Sequence, residues 1–142
     1  MGQIPHGALM AWSVGVITRS PPAALAVYDP MDGFIEVLPG VRSRVSYCDG
    51  RVIVVETLLD PGAEVPRHSH ESTQVTVVLD GELDLWIEGA GWSRLARGQY
   101  RVIPPSTPHS ARAGGGGALV LDVNSPVTED RRRLAEKLGA TC

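Results

Sequence analysis

Two short segments hold three of the four histidines in this 142-residue chain: His68-Ser69-His70 and, further along, His109. Side chains on an extended strand alternate between faces, so His68 and His70 point the same way. Two imidazoles on one face form a two-point clamp for a divalent cation, because neutral imidazole is the commonest nitrogen ligand. If the chain stays extended, Gln74 keeps the same parity and adds an amide oxygen, with Thr76 and Val78 lining that face. His109 arrives behind Pro104-Pro105-Ser106-Thr107-Pro108. A third imidazole from another strand is the usual way a barrel completes an open metal site. A lone strand histidine is more often packed or surface-exposed; the concentration of three points to metal. Glu71, the one nearby carboxylate, has odd parity relative to His70 and is the weaker alternative ligand.

Such a cluster needs a rigid β scaffold, and the chain supplies the punctuation for one. It has 16 glycines and 11 prolines, spread along its length, and only 5% aromatic residues. β-Branched runs alternate with turn signals from Phe34 onward. Strands are expected at 35–38, 44–47, 52–59, 75–79, 83–87, 92–96, 100–103, 110–113 and 118–123, with turns at Asp49-Gly50, Asp80-Gly81 and Gly114–Gly117. Nine short strands at this spacing read as an all-β sandwich or barrel. One helix is expected, Val127–Leu138, with Ser125-Pro126 as its start signal and Leu134 and Leu138 one turn apart. Arg131, Arg132 and Arg133 read as its solvated face. Three segments follow: a proline-rich N-terminal arm over 1–33 that could lend a strand to a partner subunit, a β-barrel over 34–125, and a C-terminal helix and tail over 126–142.

Composition narrows the partners. Thirteen basic and 16 acidic residues leave a net charge of −3, with no basic field to hold nucleic acid. The apolar stretch Ala8–Ile17 is half the length of a membrane span and lacks the charged start of a leader. A soluble, cytoplasmic protein binding a small molecule is therefore expected. Cys48 and Cys142 are too few for a disulfide scaffold and are expected as a buried thiol and a loose terminal one.

The histidine segments resemble the motifs of the cupins. The first cupin motif is Gly, five residues, His-x-His, three or four residues, Glu, six residues, Gly. Gly62, His68, His70, Gln74 and Gly81 match its spacing, with Gln74 in place of glutamate. The second is Gly, five residues, Pro-x-Gly, two residues, His. Gly98, Pro104, Ser106 and His109 match it, with Ser106 in place of glycine. The resemblance implies a jelly-roll β-barrel holding one divalent metal ion per subunit (zinc, nickel, iron or manganese) on His68, His70, Gln74 and His109. A neutral amide in place of a carboxylate leaves the site one charge more positive, favouring an anionic ligand.

Three further strings, at 38–41, 61–70 and 120–126, are similar to the KdgF group within the small cupins. That likeness implies a homodimer that opens unsaturated uronate sugars. The group's last-strand motif is Asp-x-Phe, then Ser-Pro and an arginine, with the aspartate catalytic. Asp122 matches the aspartate, whereas Asn124 replaces the phenylalanine and Thr128 falls near the arginine. Asp122 has a second reading, as a cap for the segment that follows. Asn124, Arg67 and Arg101 are the substrate-binding candidates; Arg112 has the parity of an outward residue. Two other functions suit the same residues: an iron-dependent dioxygenase, and a non-catalytic metal- or sugar-binding sensor module. No helix-turn-helix accompanies the barrel to read DNA.

Overall fold

The computed structural model describes residues 33–142, so the expected arm over 1–33 lies outside the described residues apart from Gly33. Among the described residues eight strands are present: β1 (Ile35–Leu38), β2 (Val41–Cys48), β3 (Ile53–Leu59), β4 (Glu64–His68), β5 (Thr73–Ile87), β6 (Gly91–Ala96), β7 (Tyr100–Ile103) and β8 (His109–Ser125). One helix, α1 (Glu129–Lys137), follows them. Strict alternation of buried and part-buried residues along β3 is the period-2 pattern the sequence carries.

All pairings are antiparallel, and two long strands organise them. The first half of β5 and the last half of β8 join β1, β2, β3 and β7 in one sheet. The other halves join β4 and β6 across the bend, on the opposite side of the same continuous sheet. This is a jelly roll, with the inner faces packed through Val41, Leu59, Val78, Leu83, Leu85 and Ile103. Each fully buried aliphatic side chain contributes roughly 1.5–3 kcal/mol.

The strands expected at 75–79 and 83–87 are one strand, and so are those at 110–113 and 118–123. Asp80-Gly81 and Gly114–Gly117 are therefore bends within strands, not turns. Register shifts flank Gly81, between Val78 and Asp80 and between Gly81 and Leu83. A Cβ on Gly81 would lie 2.1 Å from the Gly117 carbonyl oxygen, and one on Gly117 would lie 2.8 Å from the Leu59 carbonyl oxygen. Glycine lets two backbones cross at this corner without breaking the ladder. β4 has no counterpart among the expected strands, since Pro66 and the charged Glu64 and Arg67 mask its pattern.

α1 starts two residues later than expected. Thr128 occupies its N-cap position without a side-chain cap bond, while Ser125 instead donates its hydroxyl to the Arg51 carbonyl. A nine-residue helix is not stable alone. It is held by Ala135 and Leu138, which pack with Val127 on Ile53 and Val55 of β3. A covalent tie completes the anchorage: Cys48 and Cys142 form a disulfide across 94 residues, with Cα atoms 4.8 Å apart. The expected free thiols are thus corrected; the end of β2 and the chain terminus meet only after folding, which spacing along the chain does not reveal. Disulfides persist mainly in oxidising compartments, which bears against the cytoplasmic placement. Among the described residues no helix is long and apolar enough to cross a membrane. Cys48→Ser is expected to lower unfolding free energy by roughly 3–5 kcal/mol, because so long a closed loop restricts the unfolded chain. Urea melts of oxidised and reduced protein check this; coincident midpoints would refute it.

Candidate metal centre

His68 ends β4, His70 lies in the loop after it, and His109 opens β8, where it pairs in register with both His68 and Ile87. Their ring centroids are 4.3 Å (His68–His109), 5.0 Å (His70–His109) and 5.8 Å (His68–His70) apart. One nitrogen from each ring lies within 4.8 Å of the others, so these three residues could hold a metal ion. The chain does not stay extended to Gln74, as the parity reading supposed. It turns at residues 69–72, and Gln74 returns on β5, with Oε1 2.7 Å from His70 Nε2. Thr76 faces the site as expected, whereas Val78 is buried in the core.

Two rings are already set for ligation. Nδ1 of His68 donates to the Pro66 carbonyl at 2.8 Å, and Nδ1 of His109 to the Thr107 carbonyl at 2.8 Å. A carbonyl can only accept, which assigns the proton to Nδ1 and leaves the Nε2 lone pair available. His109 Nε2 is buried with no hydrogen-bond partner among the described residues. An orphaned buried nitrogen aimed at two other imidazoles fits a cation.

His70 is set differently. Its Nε2 faces the Gln74 oxygen, which can only accept, so Nε2 carries the proton in this pose and the Ser72 hydroxyl, 3.2 Å away, donates to Nδ1. Ligation through Nε2 moves that proton to Nδ1, where the Ser72 carbonyl at 3.3 Å can accept it. Ser72 is wholly buried and carried no signal in the sequence. Ser106 also supports the loop: its N–H donates to the His70 carbonyl at 2.7 Å. Its φ of 57° explains the motif's usual glycine at this position.

A polar relay runs away from the rings. Asn124 Nδ2 donates to Gln74 Oε1 (3.2 Å) and to Ser72 Oγ (3.2 Å). Gln74 Nε2 donates to Thr76 Oγ1 (2.9 Å), whose hydroxyl donates to Asp122 Oδ1 (2.7 Å). Asp122 and Asn124 thus point inward, on the register that pairs them with Thr76 and Gln74 across β5 and β8. The capping alternative for Asp122 gains no support, since its bond is to Thr76.

Burial sets the charges. Desolvation pushes the Asp122 carboxyl above its ordinary value, opposed by the Thr76 hydroxyl and the Arg131 guanidinium. Desolvation lowers His70, and it lowers His109 to about 4. Both rings are therefore neutral, the ligating form, at ordinary pH.

These groups form the polar end of a cavity of about 350 Å³ whose other walls are aliphatic. Gln74, Asp122 and Asn124 line it together with His68 and His109. Arg67 and Arg101 do not: Arg67 stacks 3.9 Å above the Trp86 ring, and Arg101 donates to Ser93 Oγ. Arg112 pairs with Glu64 in the open. Glu71 is exposed and lies on the turn, outside the three-histidine cluster. One cation of the cavity was placed elsewhere by the sequence reading. Arg131, expected on the solvated face of the helix, lines the cavity with Leu134 and Lys137. The 3-residue spacing of these three was the available signal, hidden within a run of arginines.

Comparison with known proteins agrees with this arrangement. Residues 44–124 match the cupin domain family Cupin_2. The H2HPP isomerase of Bacillus subtilis is 30% identical over 86 residues, which is 61% of this chain and 36% of that protein. The chain thus spans about a third of that relative's length. Among solved structures, KdgF from Halomonas sp. is 31% identical with a TM-score of 0.64, covering 68% of this chain and 88% of that one. An RmlC-like cupin from Shewanella frigidimarina NCIMB 400 is 25% identical with a TM-score of 0.66, covering 73% and 92%.

Proposed function

We propose, because this chain belongs to the cupin domain family, that it is a metal-dependent enzyme of the KdgF-like group, opening the ring of unsaturated uronates. The observation that carries the reading is one polar cavity end where His68 and His109 meet Gln74 and the part-buried Asp122, with His70 bonded to Gln74 beside them. The likeness to KdgF and to a protein described as an isomerase supports it.

His68, His70, His109 and Gln74 are the proposed ligands of one divalent ion. A cation held there would supply Lewis-acid polarisation of a sugar oxygen. The chain's own groups would do the rest. Asp122, with its affinity for protons raised by burial, is suited to moving a proton at the ring oxygen or the adjacent carbon. Thr76 holds that carboxylate through Oδ1, so its direction is set before substrate enters. Asn124 offers a buried Oδ1 with no partner among the described residues, an acceptor for a sugar hydroxyl. The aliphatic walls exclude water from a hemiacetal in the act of opening. A homodimer belongs to the same proposal.

The test uses the unsaturated uronates that pectate lyase releases from polygalacturonate, which absorb in the ultraviolet. Metal-loaded protein is expected to bleach that absorbance catalytically. Unchanged absorbance with a stoichiometrically loaded protein would remove the reading. Oxygen uptake with ferrous protein and a diketone would redirect it to the dioxygenase chemistry.

A further inference from the structure

We propose that Arg131 is the specificity residue that reads the acid group of the substrate, projected into the cavity from α1; this rests on the reading above and names the residue it leaves open. The expected candidates on the strands are committed elsewhere, Arg67 to Trp86 and Arg101 to Ser93. Arg42, Arg44, Arg94 and Arg112 form ion pairs with Asp60, Glu56, Asp84 and Glu64. On the helix, Arg132 and Arg133 both engage Glu129. Among the described residues Arg131 alone of the arginines lines the cavity, and its side chain is only 18% exposed.

Its posture suits the task. Nε donates to Asp130 Oδ2 at 3.1 Å, and Asp130 accepts from the Thr128 hydroxyl. That tether uses one edge of the guanidinium, leaving the two terminal nitrogens to grip a carboxylate through paired bonds. A carboxylate entering an aliphatic cavity loses its hydration, which is unfavourable unless a fixed cation meets it. Arg131 shares this cavity with His68, His109 and Asp122. A substrate spanning the cavity would meet the metal-binding cluster with its hydroxyls and Arg131 with its acid. The anchorage of α1 by Ala135, Leu138 and the Cys48–Cys142 bond makes this position reproducible. Lys137, exposed at the same wall, adds a longer-range attraction.

Calorimetric titration of the zinc-loaded protein with D-galacturonate and with its methyl ester tests the assignment without turnover. Wild type is expected to bind the acid more tightly than the ester. Arg131→Gln should weaken the acid by about 10- to 100-fold, the range for a lost charged hydrogen-bond pair, and leave the ester unchanged. Arg131→Lys should recover part of the difference. Zinc stoichiometry and thermal midpoint, measured on the same samples, should match wild type. A wild type that does not prefer the acid would overturn the assignment. So would an Arg131→Gln protein that binds acid and ester as before, or loses both equally. If the acid preference depends on Arg131 yet unsaturated uronates are not bleached, the proposed reaction fails and the acid site stands.

Discussion

His109→Ala is expected to lower affinity for a divalent cation by at least about 100-fold, beyond the 10- to 100-fold typical of losing a residue that only orients a ligand. His109 is 2% exposed, sits between β4 and β5, and aims a partnerless Nε2 at the other two rings. The substitution removes a ligand and opens a void beside the remaining two. Metal content after dialysis, followed by titration of zinc into stripped protein, measures the effect. Glu71→Ala, at an exposed position outside the histidine cluster, serves as the control with no expected change. An alanine variant that retains one tightly held ion would show that the histidine cluster is not the metal site.

Acidity should reveal the same burial. With His109 lowered to about 4 and His70 lowered from its usual 6.5, protons compete poorly with metal. Wild type is expected to keep its ion at pH values where an exposed imidazole cluster would release it. The stripped protein carries the complementary cost. Between the ordinary imidazole pKa and about 4, the unfolded chain takes up protons that the folded rings refuse, so stability falls as pH falls through that window. Asp122 works in the opposite sense, since its raised pKa makes the folded state the better proton acceptor there. Comparing urea midpoints of stripped wild type and Asp122→Asn across this range separates the two contributions.

Asp122→Asn is the second large effect. On the proposed reaction, turnover of unsaturated uronate should drop by about 10²- to 10⁴-fold, the usual worth of a positioned acid or base. Asparagine keeps the shape and can still accept the Thr76 hydrogen bond, so the relay to Gln74 survives. Metal stoichiometry and binding of galacturonate should therefore change little, placing the loss in kcat and not in KM. Unimpaired kcat would assign the proton transfer to another group.

How far these residues were legible depends on the range of the interactions that place them. His68, His70 and Gln74 fall within one turn-containing stretch, so their spacing carried the cluster even though the chain bends where extension was assumed. His109 was recognisable by its proline-rich approach and its distance from Gly98, and Asp122 by the string that follows it. The glycines at 81 and 117 were visible as punctuation, but their purpose was misread. Glycine marks a turn and a strand crossing with the same letter, and only the facing backbone distinguishes them.

The sequence by itself determined a β-rich domain and the histidine cluster. Those are consequences of period-2 alternation and of short spacings, which local geometry enforces. The tertiary structure alone decided which histidine nitrogens are available, because the carbonyls at Pro66 and Thr107, the Ser72 hydroxyl and the Gln74 amide set the protons. It alone joined Cys48 to Cys142 and turned Arg131 into the cavity while its neighbours faced Glu129. Each depends on contacts between residues distant along the chain. Identical letters in the run Arg131-Arg132-Arg133 become different chemical groups only when the helix is docked on the barrel.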